Sequence, residues 1–363
     1  MNRIVIIGAG QTGRGFINRL LYLNHVDVVF LDINHELVNR LNREKQYKIS
    51  FGSQRRESLI IDNYTAYTID SNEGQQELKK AELIFISVGQ GNLSRVKDAL
   101  EKAKPFERNH IDIITAENGI NVSRIFSDMN LGTSFLISEA IVFCTTLEAK
   151  GSLDIVSENL DYLPYDVDSL GHQLPFKGIQ ATKNIEVLMQ RKIYTYNCIS
   201  ACIAYLGYYK GYQNYAEASN DSEIQKLVLN LRKDLDACIS SHYGVSYKEQ
   251  EEFSQKAVYK FENKDIEDTI ERNVRDVDRK LKSNERIMAP LHILEKYNKK
   301  SDSLLLVASA ALYYGEETNT LKKMPEGYLN TLPESWKVQV LKGLENLKIK
   351  KGLIEILKSQ KNN

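Results

Sequence analysis

The stretch Met1-Asn-Arg-Ile4-Val5-Ile6-Ile7-Gly8-Ala9-Gly10-Gln11-Thr12-Gly13-Arg14-Gly15 decides how this chain folds. Ile4 to Ile7 form a short continuous apolar run, the pattern of a strand covered on both faces. Gly8, Gly10 and Gly13 then spell G-x-G-x-x-G at the start of a helix. The first glycine suits a sharp turn, the second lets backbone approach a pyrophosphate, and the third lets helix pack on strand. The helix N-terminus offers unpaired N–H groups to the anion, which puts Gln11 and Thr12 in the binding turn with the glycines. The next apolar run, Val26 and Val28 to Leu31, ends at Asp32, about twenty residues past the last glycine. A carboxylate there accepts from both ribose hydroxyls of NAD and repels the 2′-phosphate of NADP. A glycine turn beside a solvated aspartate is the plainer alternative, but it leaves the spacing unexplained. The stretch predicts a dinucleotide-binding Rossmann domain and NAD as cofactor.

Outward from this stretch, strand and helix keep alternating. His35 to Glu44 reads as a helix, Leu83 to Val88 as a buried strand stopped by Gly89, and Val96 to Leu100 as helix again. Ile111 to Thr115 is the next strand, ending at Ala116-Glu117-Asn118-Gly119, and Ser134–Val142 and Leu153–Val156 are strand-like runs expected to extend the same sheet. Such alternation argues for an open, mostly parallel sheet, whose ligands gather at the carboxyl ends of strands, where Val88, Gly89, Glu117 and Asn118 fall. From about Asn184 the apolar spacing turns helical, over 185–209, 223–243, 247–261, 303–314 and 335–357. The fold class is therefore α/β plus all-α: a Rossmann domain over 1–183 and a mainly helical substrate and catalytic domain over 184–363. The junction at Pro175 to Lys183 lacks linker composition and reads as a packed hinge, with the active site expected in the cleft between the domains.

Composition bounds the function classes. Apolar residues are 42% of 363, charged residues 26%, and Lys plus Arg equals Asp plus Glu at 48 each. This balance gives no reason to expect nucleic acid or an acidic membrane surface as partner. The four cysteines, Cys144, Cys198, Cys202 and Cys238, form no paired framework, which fits reduced thiols in a cytoplasm. Cys198 and Cys202 are four apart on a helix, but no partner with metal spacing follows, so no metal is expected. No apolar stretch reaches membrane-spanning length. The partner expected is a small molecule, and the composition leaves monomer and dimer open.

The segment Gln190-Arg191-Lys192-Ile-Tyr-Thr-Tyr-Asn197-Cys-Ile-Ser200 carries the polar groups of the second half. A dehydrogenase acting on an alcohol needs a base for the hydroxyl proton and donors around the oxygen. Lys192 can be that base if burial and nearby positive charge lower its pKa, and Asn197 and Asn118 can supply amide donors. On residues alone the plainer alternative wins: a lysine near a helix start is usually a solvated charge, and an asparagine in a helix bonds its own backbone.

A resemblance changes that balance. Over nearly its whole length the chain resembles the polyol-specific long-chain dehydrogenases, the family of the mannitol-1-phosphate 5-dehydrogenases. The opening Gly8-Ala-Gly10-x-x-Gly13-Arg14-Gly15-Phe16-Ile17, Asp32-x-Asn34, Glu117-Asn118, Lys192-x4-Asn197 and Ala204-Tyr-Leu-Gly207 carry it. The resemblance implies that Lys192 is the general base and that Asn118 and Asn197 form the oxyanion hole. It also implies that Arg272, Arg275 and Lys280, in the basic run that ends at Arg286, contact the polar end of the substrate. A solvated helix face is the plainer reading of that run.

Two departures stand out. Ser200 occupies the last position of the family's Lys-x4-Asn-x2-His, and Glu139-Ala-Ile-Val-Phe143 stands where the family has Asp-Arg-Ile-Val-Pro. Serine can hydrogen-bond but cannot act as a cation, so the hydride chemistry survives while substrate identity is open. None of the six histidines lies on this helix, although the fold could bring His172 or His292 close. The function expected is NAD-dependent interconversion of a sugar-alcohol phosphate or related polyol with its keto form. The alternatives are a divergent member acting on another hydroxylated metabolite and a catalytically silent NAD-binding sensor.

Overall fold

Six parallel strands make the main sheet of the N-terminal unit in the computed structural model, which describes residues 3–52 and 58–361. Met1 and Asn2 of the opening stretch lie outside the described residues. Across the sheet the order is Tyr64–Thr68, Val28–Asp32, Ile4–Ile7, Leu83–Ile86, His110–Thr115 and Ser134–Glu139. Counted along the chain this is the 3-2-1-4-5-6 order of doubly wound dinucleotide-binding sheets. Its reversal point lies between Ile4–Ile7 and Leu83–Ile86, paired in parallel from Ile4 opposite Leu83 to Ile7 opposite Ile86.

The continuous apolar runs are explained by two cores, one on each face. Ile4 and Ile6 pack with Phe16, Leu20, Phe30 and Phe85, while Val5 and Ile7 pack with Val29, Ile84, Ile86 and Leu100. Alternate residues of a strand point to opposite faces, so only an apolar run satisfies a strand covered on both. Each such side chain contributes roughly 1.5–3 kcal/mol over leaving it exposed.

Two sequence expectations are corrected here. The run at Leu153–Val156 does not extend the main sheet. Ile155–Ser157 instead joins a second, four-stranded sheet, parallel to Tyr47–Phe51 and antiparallel to Thr146–Glu148. The physical reason is the fully buried Arg14, whose guanidinium needs acceptors and takes Leu153 O at 2.5 Å, Ala9 O at 2.7 Å and the Glu148 carboxylate. The strand beginning at Ser134 stops at Glu139, short of Val142.

The chain divides into compact units at Met1–Met189 and Gln190–Asn363. Helices fill the second, and side chains set their ends. Asp221 caps Ser222–Tyr243 by accepting from Glu223 N and Ile224 N, and Gly244 closes that helix in the left-handed conformation. Ser246 and Ser301 cap Tyr247–Glu262 and Asp302–Glu317 in the same way. Gly207 lets the helix Cys198–Tyr209 approach its neighbours, since a Cβ there would stand 2.8 Å from Ala218 and from Ile270. The tyrosines of that helix pack inside the unit, Tyr208 edge-on to Tyr314 and Tyr209 edge-on to Tyr313.

The periodicity over 335–357 resolves into two helices, Glu334–Lys348 and Leu353–Lys361. Lys350 adopts φ 59°, Lys350 N–H donates to Leu347 O, and Lys351 N–H donates to Asn346 O. That paired closure ends a helix whatever the apolar spacing continues to say. A helix at Met288–Lys296 goes unread in the sequence because it contains Pro290, which sits in the first turn where no N–H is needed.

Candidate active site

The glycine turn is built as its spacing predicts. Gly8 has φ 101°, and a Cβ on it would fall 2.1 Å from Ser87 O. A Cβ on Gly13 would fall 2.0 Å from Gly8 O, so helix and strand meet there at backbone distance. Gly10 is different: a Cβ on it would meet nothing within 4 Å. Two glycines are thus required by the chain itself, and the third leaves an open cradle at the head of the helix that begins at Gln11 and Thr12. Asp32 closes the turn from the next strand, Oδ2 accepting from Ala9 N at 2.7 Å and Oδ1 from Asn34 N at 2.9 Å. Each oxygen keeps a second lone pair for a ribose hydroxyl. The residues present fit a dinucleotide.

Across the reversal point, Glu117 Oε1 accepts from Val88 N at 2.7 Å and Gly89 N at 2.8 Å. Burial raises the Glu117 carboxyl above its usual range, against the pull of those two N–H groups. Asn118 is exposed at the carboxyl end of His110–Thr115, its carbonyl held by the Gln90 side-chain amide.

In the helical unit, the polar segment lies on one long helix. Ile185–Lys192 continues through a wide π turn at Ile193–Asn197 into Cys198–Tyr209. From Arg191 to Leu206 only Asn197 and Ser200 are partly exposed; the other side chains are buried. Lys192 is buried to 5% exposure. Its ammonium is pushed down to about 7 by burial first, then by Arg286 and Lys260 beside it. A lysine in that state exchanges a proton near neutral pH, which a general base requires. Ser200 Oγ accepts from Tyr215 Oη at 3.0 Å.

The three basic residues expected at the substrate part company. Lys280 is buried, donates to Asn273 O at 2.6 Å, and is also pushed down to about 7, by burial and then by Arg286 and Arg279. Arg272 pairs with Asp268 at 2.7 Å and Arg275 with Glu271 at 2.9 Å, both four residues apart along the chain and substantially exposed. The two histidines that the fold could have brought to this helix have partners of their own. His172 sits 3.0 Å from Asp112 in the N-terminal unit, and His292 bonds Thr331 Oγ1 at 3.0 Å. Cys198 and Cys202 are buried free thiols, and among the described residues no cluster of His, Cys, Asp or Glu has the makings of a metal site.

Sequence reading missed Arg286, Lys260 and Tyr215. Arg286 closes the basic run and could have been singled out there. Lys260 and Tyr215 carry no local signal, because their partners lie at other positions of the chain.

Comparison with known proteins places both halves of the chain in one family. Residues 2–147 match the mannitol dehydrogenase Rossmann domain, and residues 184–350 match the mannitol dehydrogenase C-terminal domain. The chain is 28% identical to mannitol-1-phosphate 5-dehydrogenase of Clostridium acetobutylicum, over 95% of this chain and 90% of that protein. With the Bacillus subtilis enzyme of the same name it shares 27% identity, over 95% and 98%. Its fold is similar to that of Pseudomonas fluorescens mannitol 2-dehydrogenase, solved as a ternary complex with NAD and D-mannitol. That likeness has a TM-score of 0.77 at 14% identity, over 100% of this chain and 94% of that one. Among the described residues no helix is long and apolar enough to cross a membrane. By both of its matched regions and by relatives that span nearly its full length, the chain belongs to the mannitol dehydrogenase family.

Proposed function

We propose that this chain is an NAD-dependent dehydrogenase of CH–OH groups, interconverting a sugar-alcohol phosphate or related polyol with its keto form. The observation that carries the reading is Lys192, buried beside two other cations and poised to gain or lose a proton near neutrality. The cradle at Gly10 and the carboxylate of Asp32 support NAD as cofactor. Bound NAD supplies the hydride acceptor. Neutral Lys192 takes the hydroxyl proton as the carbon loses hydride, and in the reverse direction its ammonium returns that proton to the new alkoxide. Asn197 and Asn118 are the amide donors to that oxygen. Of the basic residues, buried Lys280 is favoured over the paired and exposed Arg272 and Arg275 for contact with the polar end of the substrate. Four cysteines kept as free thiols fit a cytoplasmic enzyme.

The relatives' names point to a sugar-alcohol phosphate. Ser200, hydrogen-bonded to Tyr215, favours a second reading in which the substrate is a different hydroxylated metabolite. Oxidation of NADH with fructose 6-phosphate, fructose and other ketoses and ketose phosphates separates the two. Turnover of one of these that disappears in Lys192→Ala supports the dehydrogenase. NADH binding without turnover of any of them would make the chain a cofactor-binding sensor instead.

A further inference from the structure

The helix that carries Lys192 is not a regular α-helix where it matters. An α-helix advances about 100° per residue, so side chains five apart, such as Lys192 and Asn197, stand about 140° apart around it. The π turn at Ile193–Asn197 closes a wider ring, and an i→i+5 turn returns the fifth residue nearly over the first. Such a turn is costly and persists where its surroundings hold it.

One side chain grips it from both sides. Gln250, on the helix Tyr247–Glu262, is fully buried. Its Oε1 accepts from Arg191 Nε at 3.2 Å, immediately before Lys192, and its Nε2 donates to Thr195 Oγ1 at 2.9 Å, in the middle of the π turn. Nε2 also donates to Asp236 Oδ1 at 3.1 Å, and Ser254 donates to Asp236 Oδ2 at 2.6 Å. Arg232 Nε donates in turn to Ser254 Oγ at 2.9 Å, and Glu249 holds the Arg191 guanidinium at 2.6 Å. A buried amide with its donors and acceptor engaged has one orientation, since any other leaves polar groups unpaired.

We infer that Gln250 is a positioning residue: its amide holds the π turn open and so keeps Lys192 and Asn197 on one face of the helix. This rests on the reading of Lys192 as general base. Thr195→Val removes only the hydroxyl that Gln250 grips, whereas Gln250→Leu removes the whole clasp. Without it the turn narrows towards α geometry, and Lys192 moves relative to Asn197 and to the charges that face it, Arg286 and Lys260.

The test uses full-length protein labelled at lysine 13Cε, with the Lys192 signal assigned by its loss in Lys192→Ala. In Thr195→Val and Gln250→Leu its titration midpoint should rise by about half a unit or more towards that of an ordinary lysine. In Thr195→Ser, which keeps the hydroxyl, it should stay native. With fructose 6-phosphate and NADH, kcat should fall about tenfold or more in the first two variants with KM little changed. The double variant should lose no more than the larger single loss, because both substitutions break one contact. A native midpoint in Thr195→Val overturns the inference, even if the protein is less stable, and leaves the network a purely structural one. If Lys192→Ala itself keeps native kcat, the general-base reading fails, while the midpoint measurement still decides the clasp.

Discussion

The phenol of Tyr215 donates to the hydroxyl oxygen of Ser200 at 3.0 Å, so this serine already has one lone pair engaged. Its own proton is left to point elsewhere, and Ser200 is one of two partly exposed side chains on a stretch of helix that is otherwise buried. Tyr215 is itself buried, and burial pushes its phenol above the usual tyrosine range. The pair therefore works as a neutral hydroxyl couple across the physiological range.

Fructose 6-phosphate is expected to be a poor substrate with NADH, and Ser200→His is expected to raise kcat/KM for it by about tenfold or more. Steady-state kinetics of both proteins decide the matter. Efficient turnover by the native chain would make the serine a tolerated replacement and the plain family activity the answer.

Alcohol oxidation needs Lys192 neutral, so kcat should rise with pH through about 7 and then level. Ketone reduction needs the ammonium and should fall over the same range. Lys192→Ala should lower turnover by roughly a hundredfold or more while NADH still binds. A pH profile with no inflection near 7 in either direction would remove Lys192 from the proton transfer.

The same lysine costs the fold stability. Unfolded, it holds its proton to about 10; folded, only to about 7. Between those values the unfolded state binds the extra proton, so stability rises with pH across that window, and below it the full penalty applies. Lys192→Met should raise Tm by about 2–4 °C at pH 7, with the gain shrinking towards pH 10. Equal gains at both pH values would contradict the assignment.

The three glycines of the turn should separate in their effects. Gly13→Ala drives a Cβ into Gly8 O and should destabilise the fold by about 2 kcal/mol or more. Gly10→Ala meets no atom of the chain, so Tm should hold while NADH binding, followed by fluorescence, weakens about tenfold or more. Unaltered NADH binding in Gly10→Ala would place the pyrophosphate elsewhere.

Asp32 should carry the choice of cofactor. Asp32→Ala is expected to cut the NAD/NADP ratio of kcat/KM by about tenfold or more. Because Ala9 N loses its acceptor as well, affinity for both cofactors should drop. An unchanged ratio would restrict Asp32 to holding the turn.

Local rules made much of this protein legible from its residues. Ile4–Ile7, the helix His35–Glu44 and the helical second half follow from apolar spacing, and the glycine turn follows from the spacing of Gly8, Gly10 and Gly13. Spacing reports only which face of an element is covered. It could not show that Ile155–Ser157 leaves the main sheet to serve Arg14, nor that Lys350 ends a helix inside an unbroken apolar pattern. The candidate base depends on tertiary structure more deeply still. Lys192 is a solvated cation or a neutral amine according to what surrounds it, and Arg286 and Lys260 reach it from 94 and 68 positions away. Desolvation and charge act through space, whereas sequence order records only neighbours along the chain.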